Sequence, residues 1–183
     1  MLSVMITLDR QCVKYLMNDL INPKTPEYLA LKSKILSPKF LWQYSPINVP
    51  GGDPEYNNFG FYTHCVLTRN KNVKKETVHL RETIQIYRQI LEHNNIELQK
   101  PFRISFNATH PTYNNTIPSP PHVDHNYPHR NMIIYLTPTY NGHTIVNGEP
   151  QPREEDDIIL FSGEHHLYPP QSNRRVVIVI TLP

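Results

Sequence analysis

The chain has 183 residues, with 18 lysines and arginines against 16 aspartates and glutamates. That length supports one real core and excludes two comfortable domains, and the near-balanced charge excludes a strongly basic nucleic-acid binder. No stretch approaches the roughly 18 consecutive apolar residues of a membrane span, so neither a nucleic acid nor a membrane is expected as a partner.

Residues 1–8 are apolar but meet Asp9 and Arg10 too early for a secretory signal, and the protein reads as soluble and cytoplasmic. Between residues 10 and 21, Cys12, Val13, Leu16, Met17 and Leu20 recur at helical spacing before Asn22-Pro23, which predicts a short amphipathic helix. Residues 27–36 form a second helix ended by Ser37-Pro38. Residues 40–44 and 59–68 are rich in aromatic and β-branched side chains and read as strands separated by the turn-forming residues 49–54. Cys12 and Cys65 stand in no metal or redox spacing, and Lys71, Lys74 and Lys75 read as a solvated loop. A third helix covers residues 77–93, with Leu80, Ile84, Tyr87, Ile90 and Leu91 on one face.

Residues 102–107 alternate apolar and polar side chains as a half-buried strand does, and a Pro, Asn, Thr and Ser-rich loop then delivers the chain to His122. From residue 131 onward nearly everything is strand: 132–137, 143–146, 157–161 and 176–182, punctuated by Asn141-Gly142 and Asn147-Gly148. Helices first and many short strands afterwards predict a mainly β (α+β) barrel or sandwich braced by N-terminal helices. We read residues 1–183 as a single domain, with 1–100 bracing a core at 101–183.

His122-Val123-Asp124 can aim two ligands at one ion, because alternate side chains of extended chain share a face. A third ligand, His165 or His166, comes from a second strand, and two imidazoles with one carboxylate make the facial set that suits ferrous iron. An arginine at the head of the last strand can pair bidentately with a carboxylate. His165 with Arg174 and His166 with Arg175 keep the same nine-residue gap, and strand alternation lets only one pair face inward. His125 and His129 read as lining the cavity mouth; Arg103 and Asn107 alternate on a strand near it.

Over residues 102–182 the chain resembles the double-stranded β-helix dioxygenases that use Fe(II) and 2-oxoglutarate, especially their prolyl 4-hydroxylase-like branch. The resemblance rests on His122-Val123-Asp124, Ile133-Ile134-Tyr135-Leu136, Asn141-Gly142-His143-Thr144, Asp157-Ile158-Ile159-Leu160-Phe161 and the segment ending Arg175-Val176-Val177-Ile178. It implies a jelly-roll, cupin-like double-stranded β-helix as the catalytic core, with His122, Asp124 and His166 holding iron. His166 and Arg175 are the pair taken forward, since the family's arginine directly heads the final apolar strand. Arg175, aided by the Tyr135 hydroxyl, would hold the far carboxylate of 2-oxoglutarate; Val177 stands where many members carry a serine. The implied activity is hydroxylation of a peptide or protein residue, amino acid or small metabolite by O2, releasing succinate and CO2, with ascorbate as a supporting reductant. The alternatives are a cupin-type enzyme without 2-oxoglutarate chemistry and a non-catalytic metal-binding barrel; Arg175 discriminates, because a buried cation without a dicarboxylate is costly.

Overall fold

The computed structural model describes residues 15–50, 55–68 and 77–183. In chain order it contains β1 (Tyr15–Leu20), α1 (Pro26–Leu36), β2 (Gln43–Ser45), β3 (Phe61–Leu67), α2 (Leu80–His93) and β4 (Arg103–Thr109). There follow β5 (Arg130–Tyr135), β6 (Thr144–Val146), β7 (Glu149–Gln151), β8 (Ile158–Ser162), β9 (His165–Leu167) and β10 (Arg175–Leu182). A seven-stranded sheet runs β1-β8-β5-β10-β4-β3-β2, and a three-stranded sheet runs β7-β6-β9. All pairings are antiparallel. The result is the double-stranded β-helix expected from the sequence. No helix among the described residues is long and apolar enough to cross a membrane.

One parity rule divides the large sheet into two faces. Ile104, Phe106 and Ala108 of β4, Met132 and Ile134 of β5, Ile158 and Leu160 of β8, and Val176, Ile178, Ile180 and Leu182 of β10 join one core. Helix residues Tyr28, Leu31, Ile35, Ile86, Tyr87, Ile90 and Leu91 complete it. Each such aliphatic or aromatic side chain contributes about 1.5–3 kcal/mol on burial, so this helix-covered face carries most of the stability. The intervening residues point the other way. Ile133, Tyr135, Ile159, Phe161 and Val177 meet Val146 of the small sheet in a second cluster, and the two sheets close over the space between them.

The helices form where caps and periodicity place them. Thr25 accepts the Tyr28 N–H at 3.3 Å with Pro26 in the first turn, and Pro38 holds Ser37 extended at ψ 142°, which stops α1. Residues 77–79 form a turn before α2, so that helix begins three residues later than its periodicity predicts.

The helix expected over residues 10–21 is corrected in part: residues 1–14 lie outside the described residues, and 15–20 are strand β1. β1 pairs with β8, Tyr15 opposite Ser162 and Met17 opposite Leu160. The unpaired backbone of β8 is satisfied by this pairing; Tyr15 and Met17 reach the helix-covered core from alternate positions of the strand, and Leu20 reaches it after a register shift between Met17 and Leu20. The strand expected at 40–44 is Gln43–Ser45, because Phe40 and Trp42 pack as an aromatic pair with ring centroids 4.8 Å apart. The basic run at 71–75 and Cys12 lie outside the described residues.

Candidate active site

The loop from β4 to β5 runs beside β9 and is tied to it by backbone. His122 N–H donates to the His165 carbonyl at 3.1 Å, and His165 N–H donates to the His122 carbonyl at 2.9 Å. Three residues earlier Ser119 N–H reaches the Leu167 carbonyl at 2.8 Å. The local chain is extended; His122, Val123 and Asp124 all line the cavity, with Val123 half exposed at its rim.

His122, Asp124 and His165 each offer one ligand atom, and these atoms lie within 4.8 Å of one another. His122 Nε2 is 3.6 Å from Asp124 Oδ1, and His165 Nε2 is 3.9 Å from Asp124 Oδ2. His122 Nδ1–H donates to the Pro120 carbonyl at 3.1 Å, which leaves the Nε2 lone pair facing the other two groups. Asp124 Oδ2 accepts from Asn131 Nδ2 at 2.8 Å, and Asn131 Oδ1 accepts from Thr181 Oγ1 at 3.0 Å. Two imidazoles and a carboxylate, converging and braced by carbonyl and amide partners, fit a divalent iron with positions left open.

The electrostatics agree with that use. Burial opposes ionisation of Asp124, but the neighbouring His122 and the charge of Arg103 outweigh it and hold the carboxyl well below its usual range. Burial pushes His165 down to about 4, so it is a neutral imidazole at neutral pH. His122 is opposed by burial yet raised overall by Asp124 and the Pro120 carbonyl.

The sequence expectation of His166 is not met in the geometry: His165 and Leu167 line the cavity, and His166 pairs across from Ile145 with its ring 6.4 Å from that of Tyr56. Arg175, by contrast, does face the cavity, and Arg174 turns away to donate to the Leu36 carbonyl at 2.7 Å. Strand alternation cannot be carried from β9 to β10, because the chain between them, including Pro169 and Pro170, is irregular. The inward pair is therefore His165 with Arg175.

Arg175 is buried, at 4% exposure. Its Nη2 donates to Thr144 Oγ1 at 2.6 Å, its guanidinium stacks 5.2 Å from the Tyr135 ring centroid, and its Nε has no hydrogen-bond partner. Among the described residues it forms no ion pair. Tyr135 does not line the cavity; its hydroxyl is 3.0 Å from Thr144 Oγ1, so it braces Thr144 from behind. The hydroxyl beside the arginine comes from Thr144, which sequence alone gives no role, and Val177 supplies apolar floor.

The triad and Arg175 share one cavity of about 380 Å³. Arg103 and Asn107 line it, as do Thr109 and Asn131; His125 and His129 instead pack around Tyr127, whose ring centroid lies 4.9 and 5.8 Å from theirs. The segment 48–50 forms one lip, fixed by Asn58, whose Oδ1 accepts Asn48 N–H at 2.8 Å and Val49 N–H at 3.0 Å. Asn131 stands in no motif and Thr144 only at the end of the turn Asn141-Gly142-His143-Thr144, yet each sits at the cavity parity of its strand.

No family model and no curated protein matches the chain. Among solved structures it is similar to an oxidoreductase of the 2OG-Fe(II) oxygenase family from Burkholderia pseudomallei, at a TM-score of 0.59 and 12% identity over 92% of this chain and 84% of that one. The fold is that of the 2OG-Fe(II) oxygenases. EvdMO1 is similar at a TM-score of 0.50 and 14% identity, over 92% of this chain and 47% of that one. The viral collagen prolyl hydroxylase vCPH from Paramecium Bursaria Chlorella virus-1 aligns at a TM-score of 0.45 and 10% identity, over 67% of this chain and 79% of that one. At these identities the likeness to the oxygenases is one of fold.

Proposed function

We propose that this protein is a 2-oxoglutarate- and Fe(II)-dependent oxygenase that hydroxylates an amino acid, a peptide side chain or a small metabolite. The observation that carries the reading is the buried Arg175 guanidinium, without an anionic partner among the described residues, in the same cavity as His122, Asp124 and His165. Burying such a charge unpaired costs several kcal/mol, so the site is built for a carboxylate that arrives with a ligand. A cupin-type enzyme without the keto acid leaves that cation unexplained.

In this reading His122, Asp124 and His165 would hold the iron, which would supply O2 activation coupled to oxidative decarboxylation of 2-oxoglutarate to succinate and CO2, with one oxygen atom going to succinate and the other to the substrate. The chain's own part is positioning. Asn131 holds the Asp124 carboxylate by its Oδ2, and the Pro120 carbonyl holds the His122 tautomer. Arg175 and Thr144 grip the far carboxylate of the co-substrate, with Tyr135 fixing the threonine hydroxyl. Ile133, Phe161, Val177 and Val179 line the space and limit water. The sharing of one sheet by β1, β2 and β3 with β4, β5, β8 and β10 supports reading the chain as one domain.

The test is succinate formation from 2-oxoglutarate by purified protein with Fe(II) and ascorbate, in air and under nitrogen. Oxygen-dependent succinate that is lost in Asp124→Ala supports the assignment. Succinate formation that is equal in Asp124→Ala contradicts it.

A further inference from the structure

The cavity holds a second arginine that the co-substrate does not use. Arg103 heads β4 and stands opposite Thr181 of β10, which stands opposite Asn131 of β5. Asn131 is the residue bonded to Asp124, so Arg103 lies in the row that supports the triad. Arg175 lies opposite Thr109, six residues along β10 from Thr181, or about 20 Å of strand. The two cationic side chains thus enter the cavity from opposite ends of its floor.

The charge around the cavity is unbalanced. Asp124 is the one carboxylate among its described lining residues, and it already serves His122, His165 and Asn131. Arg103 makes no ion pair with it within 4.0 Å; among the described residues it makes none at all. A guanidinium facing a part-apolar cavity is best matched by a planar carboxylate.

The strand that carries Arg103 is also distinct. On the cavity side of the sheet β5, β8 and β10 present mainly apolar residues, such as Ile133, Ile159, Val177 and Val179, whereas β4 presents Arg103, Ser105, Asn107 and Thr109. Ser105 is 1% exposed and its hydroxyl has no hydrogen-bond partner. Thr63 Oγ1 donates to Asn107 Oδ1 at 2.9 Å, which leaves the Asn107 amide N–H groups as that residue's remaining donors. Such a polar strip, of which Arg103, Asn107 and Thr109 line the part-apolar cavity, is costly unless a ligand uses it.

We propose that Arg103 anchors a carboxylate of the oxidised substrate, so that the substrate is a small carboxylate-bearing molecule of the amino-acid class, laid along β4 beside the triad. This rests on the reading of Arg175 and the triad as the co-substrate and iron site. The cavity volume of about 380 Å³, shared with the co-substrate, suits a molecule of that size and excludes a folded protein surface from entering.

The test compares the twenty N-acetyl amino acids as free acids and as C-terminal amides, with binding followed by ligand-detected NMR under nitrogen. The protein is used with Zn(II) and 2-oxoglutarate, so that no turnover occurs. At least one acid is expected to bind about tenfold or more tighter than its amide. That ratio should fall to near one in Arg103→Gln and recover in part in Arg103→Lys. Acids and amides that bind alike, a preference that persists in Arg103→Gln, or no binding by any acid overturns the proposal. Binding of 2-oxoglutarate to the same wild-type sample is read separately; its absence counts against the co-substrate reading and not against Arg103.

Discussion

Arg175 Nη2 donates to Thr144 Oγ1 at 2.6 Å, and Thr144 Oγ1 is in turn 3.0 Å from the Tyr135 hydroxyl. The three residues come from β10, β6 and β5, so this contact spans the two sheets and fixes the far end of the cavity. Thr144→Val keeps the shape and removes the hydroxyl. It should weaken 2-oxoglutarate binding by about tenfold, the scale of a hydrogen bond to a charged group, while the apo protein stays folded. Calorimetric titration with 2-oxoglutarate checks this; unchanged affinity would remove Thr144 from the site.

The two adjacent histidines should separate cleanly. His165→Ala removes one of the three converging ligand atoms and should abolish tight binding of Fe(II) or Mn(II), whereas His166→Ala should retain it, since His166 faces Tyr56. A metal titration followed by calorimetry reads both variants, and the reverse result would restore the register predicted from the sequence.

Asn131 touches Asp124 without being a ligand. Asn131→Ala should lower metal affinity about 10–100-fold, because the carboxylate loses the amide that orients it. Equal affinity in the variant would mean that Asp124 is held by its histidine neighbours alone.

Gly142 marks where the turn before β6 meets the segment after β9. A Cβ there would stand 2.6 Å from Pro170 N and 2.9 Å from the Tyr168 carbonyl oxygen, both backbone. Gly142→Ala should therefore cost about 1–3 kcal/mol in urea unfolding, and should displace Thr144 enough to weaken 2-oxoglutarate as well. Wild-type stability in the variant would show that the turn yields freely.

Asp156 anchors α1 to the barrel through Tyr28, Lys32 and Lys24. Burial opposes its ionisation, but the hydrogen bonds from Lys32, Tyr28 and Lys24 prevail and lower its pKa. A carboxyl depressed in the folded state contributes stability above its ordinary range and loses it as pH falls through the folded value. The stability difference between wild type and Asp156→Asn should thus be full at neutral pH and shrink on acidification below about pH 4. Thermal unfolding across that range measures it, and a pH-independent difference would contradict the account.

Much of this was legible in the residues. The alternation of Val176 to Leu182 and the run Met132 to Leu136 defined the sheet, and His122-Val123-Asp124 with Arg175 marked two ends of the site. Residues 15–20 form a strand although Leu16, Met17 and Leu20 satisfy helical spacing, because the open edge of β8 that decides their fate is distant in sequence. His165 and His166 could not be separated by alternation, since the irregular chain before β10 breaks the parity. Thr144 and Asn131 gain their roles only from register, Thr144 opposite Leu167 and Asn131 opposite Thr181, and register is set by the sheets as a whole.

The most direct measurement is an anaerobic titration of 2-oxoglutarate into the Fe(II) protein, followed by the visible charge-transfer absorption of the chelate. The account predicts a saturable band that requires both iron and 2-oxoglutarate, disappears in His165→Ala, and in Arg175→Met needs far higher 2-oxoglutarate. No band at saturating iron and 2-oxoglutarate, together with no succinate in air, would contradict it.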